Sequence, residues 1–232
     1  MNLRLQGEVL SDDWAELYRW FGIESGYYCP GDIRAAVAGL QDGEELVLEI
    51  NSVGGDCDAA SEIYSVLKSC GHPTRAEIQS LAASAASYFP MACDHVAIAL
   101  PAQMMVHCAS MYMGGNKYSH QWASGVLDKQ DVSILDTYCG RCGEDKRDRL
   151  RQLMDEETFL TATECLELGL ADSIIGQETE GEGEPLCVAA AMFNNTVRAM
   201  RTLPDIRALK ARRDREMEEM AAALAEEKGR YL

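Results

Sequence analysis

The sequence predicts an α/β domain built of repeated strand–helix units, followed by a helical tail. Two patterns follow each other repeatedly over the first 176 residues. In one, apolar and polar residues alternate as in a strand; in the other, apolar residues recur at helical spacing. The stretch 177–185 (QETEGEGEP) is acidic, rich in glycine and without large apolar residues, which is typical of a linker. Residues 186–232 have a helical composition interrupted at Pro204. We therefore expect a domain at 1–176, a linker at 177–185 and a tail at 186–232.

The first elements follow from local periodicity. A strand is predicted at 4–10, and an amphipathic helix at 13–22, where aromatic residues and a leucine recur at helical spacing. Pro-Gly-Asp opens a second helix over 30–40. The segment 45–51 (ELVLEIN) alternates as a half-buried strand does, and a glycine turn at 52–55 is expected to end it.

The middle of the domain continues the alternation. A helix is predicted at 58–69 and a strand at 74–80. The run of small residues at 81–87 (LAASAAS) is expected to form a tight junction between strand and helix. Two short strands follow at 95–100 and 104–107.

The last part of the domain is mainly helical. Residues 121–156 have apolar side chains four apart, and Gly140 and Gly143 are expected to break this stretch into two helices. The T-A-T-E sequence at 161–164 fits a capping box for a short helix. A final strand is predicted at 170–175.

The composition excludes several classes of protein. The chain has 232 residues, with 21 Lys and Arg against 38 Asp and Glu, and a net charge of −17. The longest apolar run, 186–193, is far shorter than the ~20 residues of a membrane span. A pI near 4.6 argues against nucleic-acid binding, which depends on clustered Lys and Arg. Residues 205–232 carry seven charges of each sign, so the acidic body and neutral tail are expected to face different partners.

The cysteines and the N-terminus favour a cytoplasmic protein. Arg4 and Gln6 interrupt the apolar stretch that a signal peptide needs. Nine cysteines, an odd number at scattered spacing, favour reduced thiols. Cys139 and Cys142 form the only C-x-x-C, and a zinc site would need a second pair, so we expect two thiols on one helix and no metal.

Two local features are candidates for chemistry. Gly54 and Gly55 permit a backbone path that leaves N–H groups free to face a ligand. Ser84 stands among alanines at a crowded corner, where a hydroxyl is either exposed for reaction or a simple packing choice. If Ser84 is a nucleophile, the N–H groups of Ala85 and Gly55 are placed to form an oxyanion hole.

A serine nucleophile needs a base, and the chain has four histidines. His72 lies in a Gly-His-Pro turn, His95 opens a strand and His120 precedes a polar helix start. His107 differs because it closes an apolar strand, where an imidazole is held rigidly in a partly dry position. A single histidine at a strand end is also compatible with a structural role.

Four segments in order make a family resemblance specific. They are INSVGG at 50–55, AASAA at 82–86, MVH at 105–107, and FLTA at 159–162 with GLAD at 169–172. With these segments the chain resembles the ClpP-type serine endopeptidases, and among them the phage head maturation (prohead) proteases. The resemblance implies the ClpP/crotonase-like fold.

The resemblance covers about residues 3–176 and assigns roles by position. It implies Ser84 as nucleophile, His107 as general base, and the backbone N–H groups of Gly55 and Ala85 as oxyanion donors. The extended segment 26–43, the MDEETF sequence at 154–159, the acidic linker and the helical tail point to the phage branch.

Two acids are candidates for the third member of the triad. In the ClpP pattern it lies two residues before the aromatic of F-L-T-A, which is Glu157 here, where the family usually has Asp. Glu is one methylene longer but can still orient an imidazole. Asp155 is the competing candidate, and both acids could also be surface residues of a helix.

The resemblance also bears on the substrate and on cofactors. Val53 replaces the family's usual proline and, with Gly54, is expected to border the substrate groove; Cys108 and Ala109 replace the usual pair after the histidine. The implied reaction is hydrolysis of peptide bonds in capsid or scaffold protein, or in the chain's own tail, in the host cytoplasm or the assembling phage head. No metal or organic cofactor is implied. Without a GxxxxGK[ST] motif, ATP-driven unfolding would belong to another protein.

Three other interpretations stay open. An acyl-CoA enzyme of the crotonase class would use the glycine turn but leave Ser84 and His107 as packing residues. A relative of signal peptide peptidases would need a lysine base, which the expected strand and turn positions lack. A non-proteolytic scaffold role would rest on the tail. The resemblance further implies a homo-oligomeric ring, with the helix of 121–154 between rings.

Overall fold

A computed structural model describes residues 1–177, so the predicted linker beyond Gln177 and the predicted tail lie outside the described residues. The strands are β1 Asn2–Val9, β2 Tyr27–Tyr28, β3 Leu46–Gly55, β4 Thr74–Ala83, β5 His95–Ile98, β6 Gln103–Val106, β7 Thr158–Thr161 and β8 Ser173–Ile174. The helices are α1 Asp12–Trp20, α2 Pro30–Ala38, α3 Cys57–Ser69, α4 Ala85–Tyr88, α5 Lys117–Cys142, α6 Arg147–Asp155 and α7 Ala162–Leu168. Single 3₁₀ turns follow α4 and α5.

The strands form one sheet in the order β2-β1-β3-β4-β5-β8, and all of these pairs are parallel. Strand β6 pairs with β4 beyond the end of β5, and β7 adds to β6 in the antiparallel direction. The strand–helix alternation and parallel pairing confirm the predicted α/β class.

The central strands are buried because helices cover the sheet. Leu46, Leu48 and Ile50 of β3 and Ile78 of β4 have no exposed surface. Each such aliphatic side chain contributes about 1.5–3 kcal/mol to folding by leaving water. A sheet held in this way fixes the carboxyl ends of β3, β4 and β6.

The prediction that a turn at 52–55 ends the third strand is wrong. Strand β3 continues to Gly55, because β1 offers backbone partners along its whole length. Ser52 pairs with Gly7 and Gly54 with Glu8, so Val53 is an extra residue in a β-bulge. Strand β4 likewise runs three residues beyond the predicted 74–80, and the predicted junction begins only at Ser84.

The long helical region breaks at a single glycine. Gly140 lies inside α5, and Gly143, with φ 96°, ends it. Cys139 and Cys142 therefore share the last turns of α5, where Cys139 is buried. Strands β2 and β7 were not predicted, since both are too short to show a period. The predicted capping box is present at Thr161.

Two kinds of structural feature are absent from residues 1–177. In this part of the chain, no helix is long and apolar enough to cross a membrane. Within the same range, no group of three or more His, Cys, Asp and Glu side chains is arranged to hold a metal ion.

Candidate active site

Ser84 stands at the sharp turn between β4 and α4. Its φ of 54° and ψ of −127° lie where side-chain-bearing residues are rare. The turn is held because the Ser84 N–H donates to the carbonyl of Met105, 2.9 Å away. Backbone strain of this kind costs about 1–3 kcal/mol and persists only where the surrounding structure imposes it.

The structure brings Ser84 and His107 into direct contact. Strands β4 and β6 pair in parallel, with Ala83 opposite Met105, so both residues lie just beyond the ends of adjacent strands. Nε2 of His107 is 2.6 Å from Oγ of Ser84. This is hydrogen-bond distance, and it places a base on the hydroxyl that would have to lose a proton.

Glu157 lies on the other side of the imidazole. One of its carboxylate oxygens, Oε1, is 3.7 Å from Nδ1 of His107. That is longer than a hydrogen bond but within ion-pair distance. Glu157 has φ 50° and directly precedes β7. Its side chain is half-exposed, whereas that of His107 is mostly covered.

Asp155, the competing acid, has other partners. Oδ1 of Asp155 accepts a hydrogen bond from the Cys108 thiol at 3.4 Å and lies 3.6 Å from Nε of Arg151. Burial, followed by this hydrogen bond, raises the pKa of Cys108 to about 12. The residue after His107 is therefore a neutral thiol at physiological pH.

Gly54 lies against the serine turn, and Gly55 lies against β1. A Cβ on Gly54 would come within 2.5 Å of the Ala83 carbonyl oxygen and 2.8 Å of the Ala85 nitrogen. A Cβ on Gly55 would lie 2.1 Å from the carbonyl oxygen of Val9. Only glycine fits at either position. At Gly54, the absence of a side chain lets the backbone of β3 lie close to the N–H of Ala85, the candidate oxyanion donor.

Ser52, a buried serine to which no role was assigned from the sequence, fixes the bulge in β3. Oγ of Ser52 donates to the carbonyl of Gly7 at 2.6 Å, and accepts from the Gly54 N–H at 3.1 Å and the Tyr28 hydroxyl at 2.9 Å. A hydroxyl has one hydrogen and two lone pairs, so its capacity is fully used. Burial raises the pKa of Tyr28, which keeps its hydroxyl a donor. The one sequence signal for this function is the position of Ser52 two residues before the pair of glycines.

Val53 occupies the bulge beside the glycines and is half-exposed. The place of Val53 and Gly54 beside a substrate stays a prediction from the sequence. A serine hydroxyl bonded to an imidazole, with a carboxylate on the other side of the ring, is an arrangement suited to acyl transfer.

Comparisons with known proteins agree with this chemistry. The family model described as Clp protease matches residues 35–178. The chain is 28% identical over 137 residues to the ATP-dependent Clp protease proteolytic subunit 1 of Chlamydia muridarum, covering 57% of this chain and 71% of that protein. It is 29% identical over 142 residues to the corresponding subunit of Deinococcus radiodurans, covering 60% and 69%. With the subunit of Chara vulgaris it shares 28% identity over 189 residues, covering 75% and 85%.

Proposed function

The chain belongs to the Clp protease family, which makes it a serine peptidase, and we propose that Ser84, His107 and Glu157 are its nucleophile, general base and orienting acid. The observation that carries this proposal is the 2.6 Å contact between Oγ of Ser84 and Nε2 of His107. The alternative acid, Asp155, is less suited because its carboxylate is engaged with Cys108 and Arg151.

In the proposed reaction, Ser84 attacks the scissile carbonyl while His107 takes its proton. The backbone N–H groups of Gly55 and Ala85 stabilise the oxyanion, and Glu157 stabilises the imidazolium. His107 then protonates the leaving amine, and water releases the acyl group from Ser84. Strain at Ser84 supports the scheme, since strained backbone is often concentrated at reacting groups.

A fluorophosphonate probe tests the assignment of the nucleophile. We expect one covalent adduct on the wild-type chain, mapped to Ser84 by peptide mass spectrometry. Ser84→Ala should abolish the adduct, and His107→Ala should slow it on the order of 10⁶-fold. Ser65→Ala, at an exposed serine of α3, is a suitable serine control. A folded wild-type protein that is not labelled at Ser84 would refute the proposal.

We further propose that the enzyme processes capsid or scaffold proteins during phage head maturation, in the host cytoplasm or the assembling head. The support is the resemblance at 26–43 and 154–159 and the contrast between an acidic body and a neutral tail. We propose that catalysis needs no ATP from this chain, since it has no GxxxxGK[ST] motif. Mass spectrometry of capsid-protein termini made with wild-type or Ser84→Ala enzyme tests this, and identical termini would refute it.

The division into domain 1–176, linker 177–185 and tail 186–232 is part of the same proposal. The tail would contact capsid or scaffold protein, or be cut by the enzyme itself. Truncation at Pro185 should leave hydrolysis of a short peptide intact and impair processing of the assembled substrate. Identical processing by the truncated enzyme would count against a role for the tail.

We also propose a homo-oligomeric ring. Tyr118, Trp122 and Val132 of α5 are each at least half-exposed, an unusual amount of apolar surface for one helix of a monomer. Light scattering after size exclusion should give a mass several times 25.5 kDa, and Trp122→Glu should reduce it. A monomer at micromolar concentration would refute the ring.

A further inference from the structure

One helix is hydrogen-bonded to both of the segments that carry the candidate catalytic pair. Asp131 and Tyr138 lie seven residues apart on α5, about two turns, and so project from the same face. Both are buried, with 7% and 1% of their surface exposed. Neither was singled out by the sequence, where they are two polar residues within a mixed helix.

Tyr138 reaches the serine turn through Ser87. The Ser87 hydroxyl donates to the carbonyl oxygen of Ser84 at 2.5 Å, and the Tyr138 hydroxyl lies 2.6 Å from Oγ of Ser87. Because the single hydrogen of Ser87 is used toward Ser84, Tyr138 must be the donor to Ser87. The chain of hydrogen bonds therefore ends on the carbonyl of the strained residue itself.

Asp131 reaches the histidine segment. Its Oδ1 accepts a hydrogen bond from the backbone N–H of Ala109 at 2.7 Å, two residues after His107. Such a bond to a carboxylate is stronger than one between neutral groups, and it is made by a buried side chain on a rigid helix. The segment that carries His107 out of β6 is thereby fixed to α5.

We propose that Asp131 and Tyr138 are positioning residues that hold Ser84 and His107 in register. The inference rests on the proposed roles of those two residues. A nucleophile and base must be held within about 0.5 Å, and misplacement by 1 Å can cost about 100-fold in rate. Because both hydrogen-bonding side chains belong to one helix, they fix the position of Ser84 relative to His107. The end of β4 or of β6 alone would not fix that relative position.

The test measures the rate at which a fluorophosphonate acylates Ser84, together with kcat and KM for a peptide substrate. Active-site titration normalises each rate to the folded fraction. Asp131→Ala and Tyr138→Phe should each lower acylation and kcat about 10-fold to 100-fold, with KM within about 2-fold of wild type. Asp131→Asn should recover most of the rate, since its amide oxygen can accept the Ala109 N–H. The matched control for Asp131→Ala is Asp128→Ala, at an exposed position of the same helix. The matched control for Tyr138→Phe is Tyr64→Phe, in α3.

A double-mutant cycle adds a second readout. Ser87→Ala should slow acylation as Tyr138→Phe does, and the double variant should be no slower, because both remove the same chain of hydrogen bonds. This arm stands even if Asp131→Ala does not fold. Wild-type rates per active site in Tyr138→Phe and Ser87→Ala would overturn the role of Tyr138. The role of Asp131 would be overturned if Asp131→Asn were as slow as Asp131→Ala, or if both of these variants reacted at the wild-type rate. Failure of wild-type Ser84 to react would instead refute the proposed function.

Discussion

Oε1 of Glu157 lies 3.7 Å from Nδ1 of His107 because β7 pairs with β6 in the antiparallel direction. Val106 is opposite Thr158, so the next residue on one strand and the preceding residue on the other face each other. The carboxylate is thus within reach of the imidazole before any proton has moved. When His107 becomes positively charged, attraction shortens this distance, as catalytic contacts do on going from the free enzyme to the complex.

Glu157→Gln should lower kcat of the peptidase about 10³-fold to 10⁴-fold with little change in KM. The neutral amide keeps nearly the same shape but no longer stabilises an imidazolium. Steady-state kinetics on a fluorogenic peptide would measure the effect. Asp155→Asn, two residues away, is the control and should stay within about 2-fold of wild type. The opposite ranking of the two variants would exchange their roles.

Gly54→Ala should destabilise the fold and abolish acylation of Ser84. The new methyl group would overlap the Ala83 carbonyl and the Ala85 nitrogen, and φ is 88°. We expect a loss of about 2–4 kcal/mol in the free energy of unfolding, from overpacking and backbone strain together. Gly43→Ala separates overpacking from backbone strain, since Gly43 has φ 77° but open space around it. This variant should lose only about 1 kcal/mol in the free energy of unfolding. Urea titration measures both, and equal losses would contradict the steric account.

Cys108 should resist alkylation although it lies next to His107. With a pKa of about 12, its thiolate fraction at neutral pH is roughly a thousandfold below that of an ordinary cysteine. Asp155→Ala removes the hydrogen-bond acceptor and a nearby negative charge, so alkylation of Cys108 should become faster while peptidase activity is kept. Timed labelling with iodoacetamide, mapped by mass spectrometry, follows this one site. An unchanged rate in Asp155→Ala would contradict a contribution of Asp155 to the protection of this thiol.

The free energy of unfolding should fall between pH 9 and pH 12. Burial raises the pKa of Cys165 and of Cys93 to about 12, from an ordinary value of 9.0. Below pH 9 both the folded and unfolded chains hold these protons, so the stabilisation is complete. Above pH 9 the unfolded chain releases the thiol protons first. The free energy of unfolding then falls by about 1.4 kcal/mol per pH unit for each thiol.

Urea titrations at successive pH values test this dependence. Cys165→Ala and Cys93→Ala should each reduce the slope by one proton, and their combination by two. The cavity left by either substitution lowers stability at every pH and leaves the slope unaffected. A slope unchanged from wild type in both variants would contradict the predicted titration.

Much of the fold was predictable because it is encoded locally. The alternation of buried and more exposed residues in β3 and the capping box at Thr161 both depend on residues that are close together in the sequence. The end of β3 was not predictable in this way. Two glycines favour a turn by their own propensity, and only the pairing of Gly54 and Gly55 with β1, more than 40 residues earlier, keeps them in the strand.

Periodicity is a property of the chain alone, and it was enough to predict the α/β class. The order of four short motifs, through the family resemblance, predicted Ser84 and His107 as nucleophile and base. The tertiary structure decided which acid faces the imidazole, because that depends on the register of β6 with β7. It also decided that Asp131 and Tyr138 contact the segments carrying His107 and Ser84. Those hydrogen bonds join residues 22 and 51 positions apart, and such distances close only when the helix packs onto the sheet.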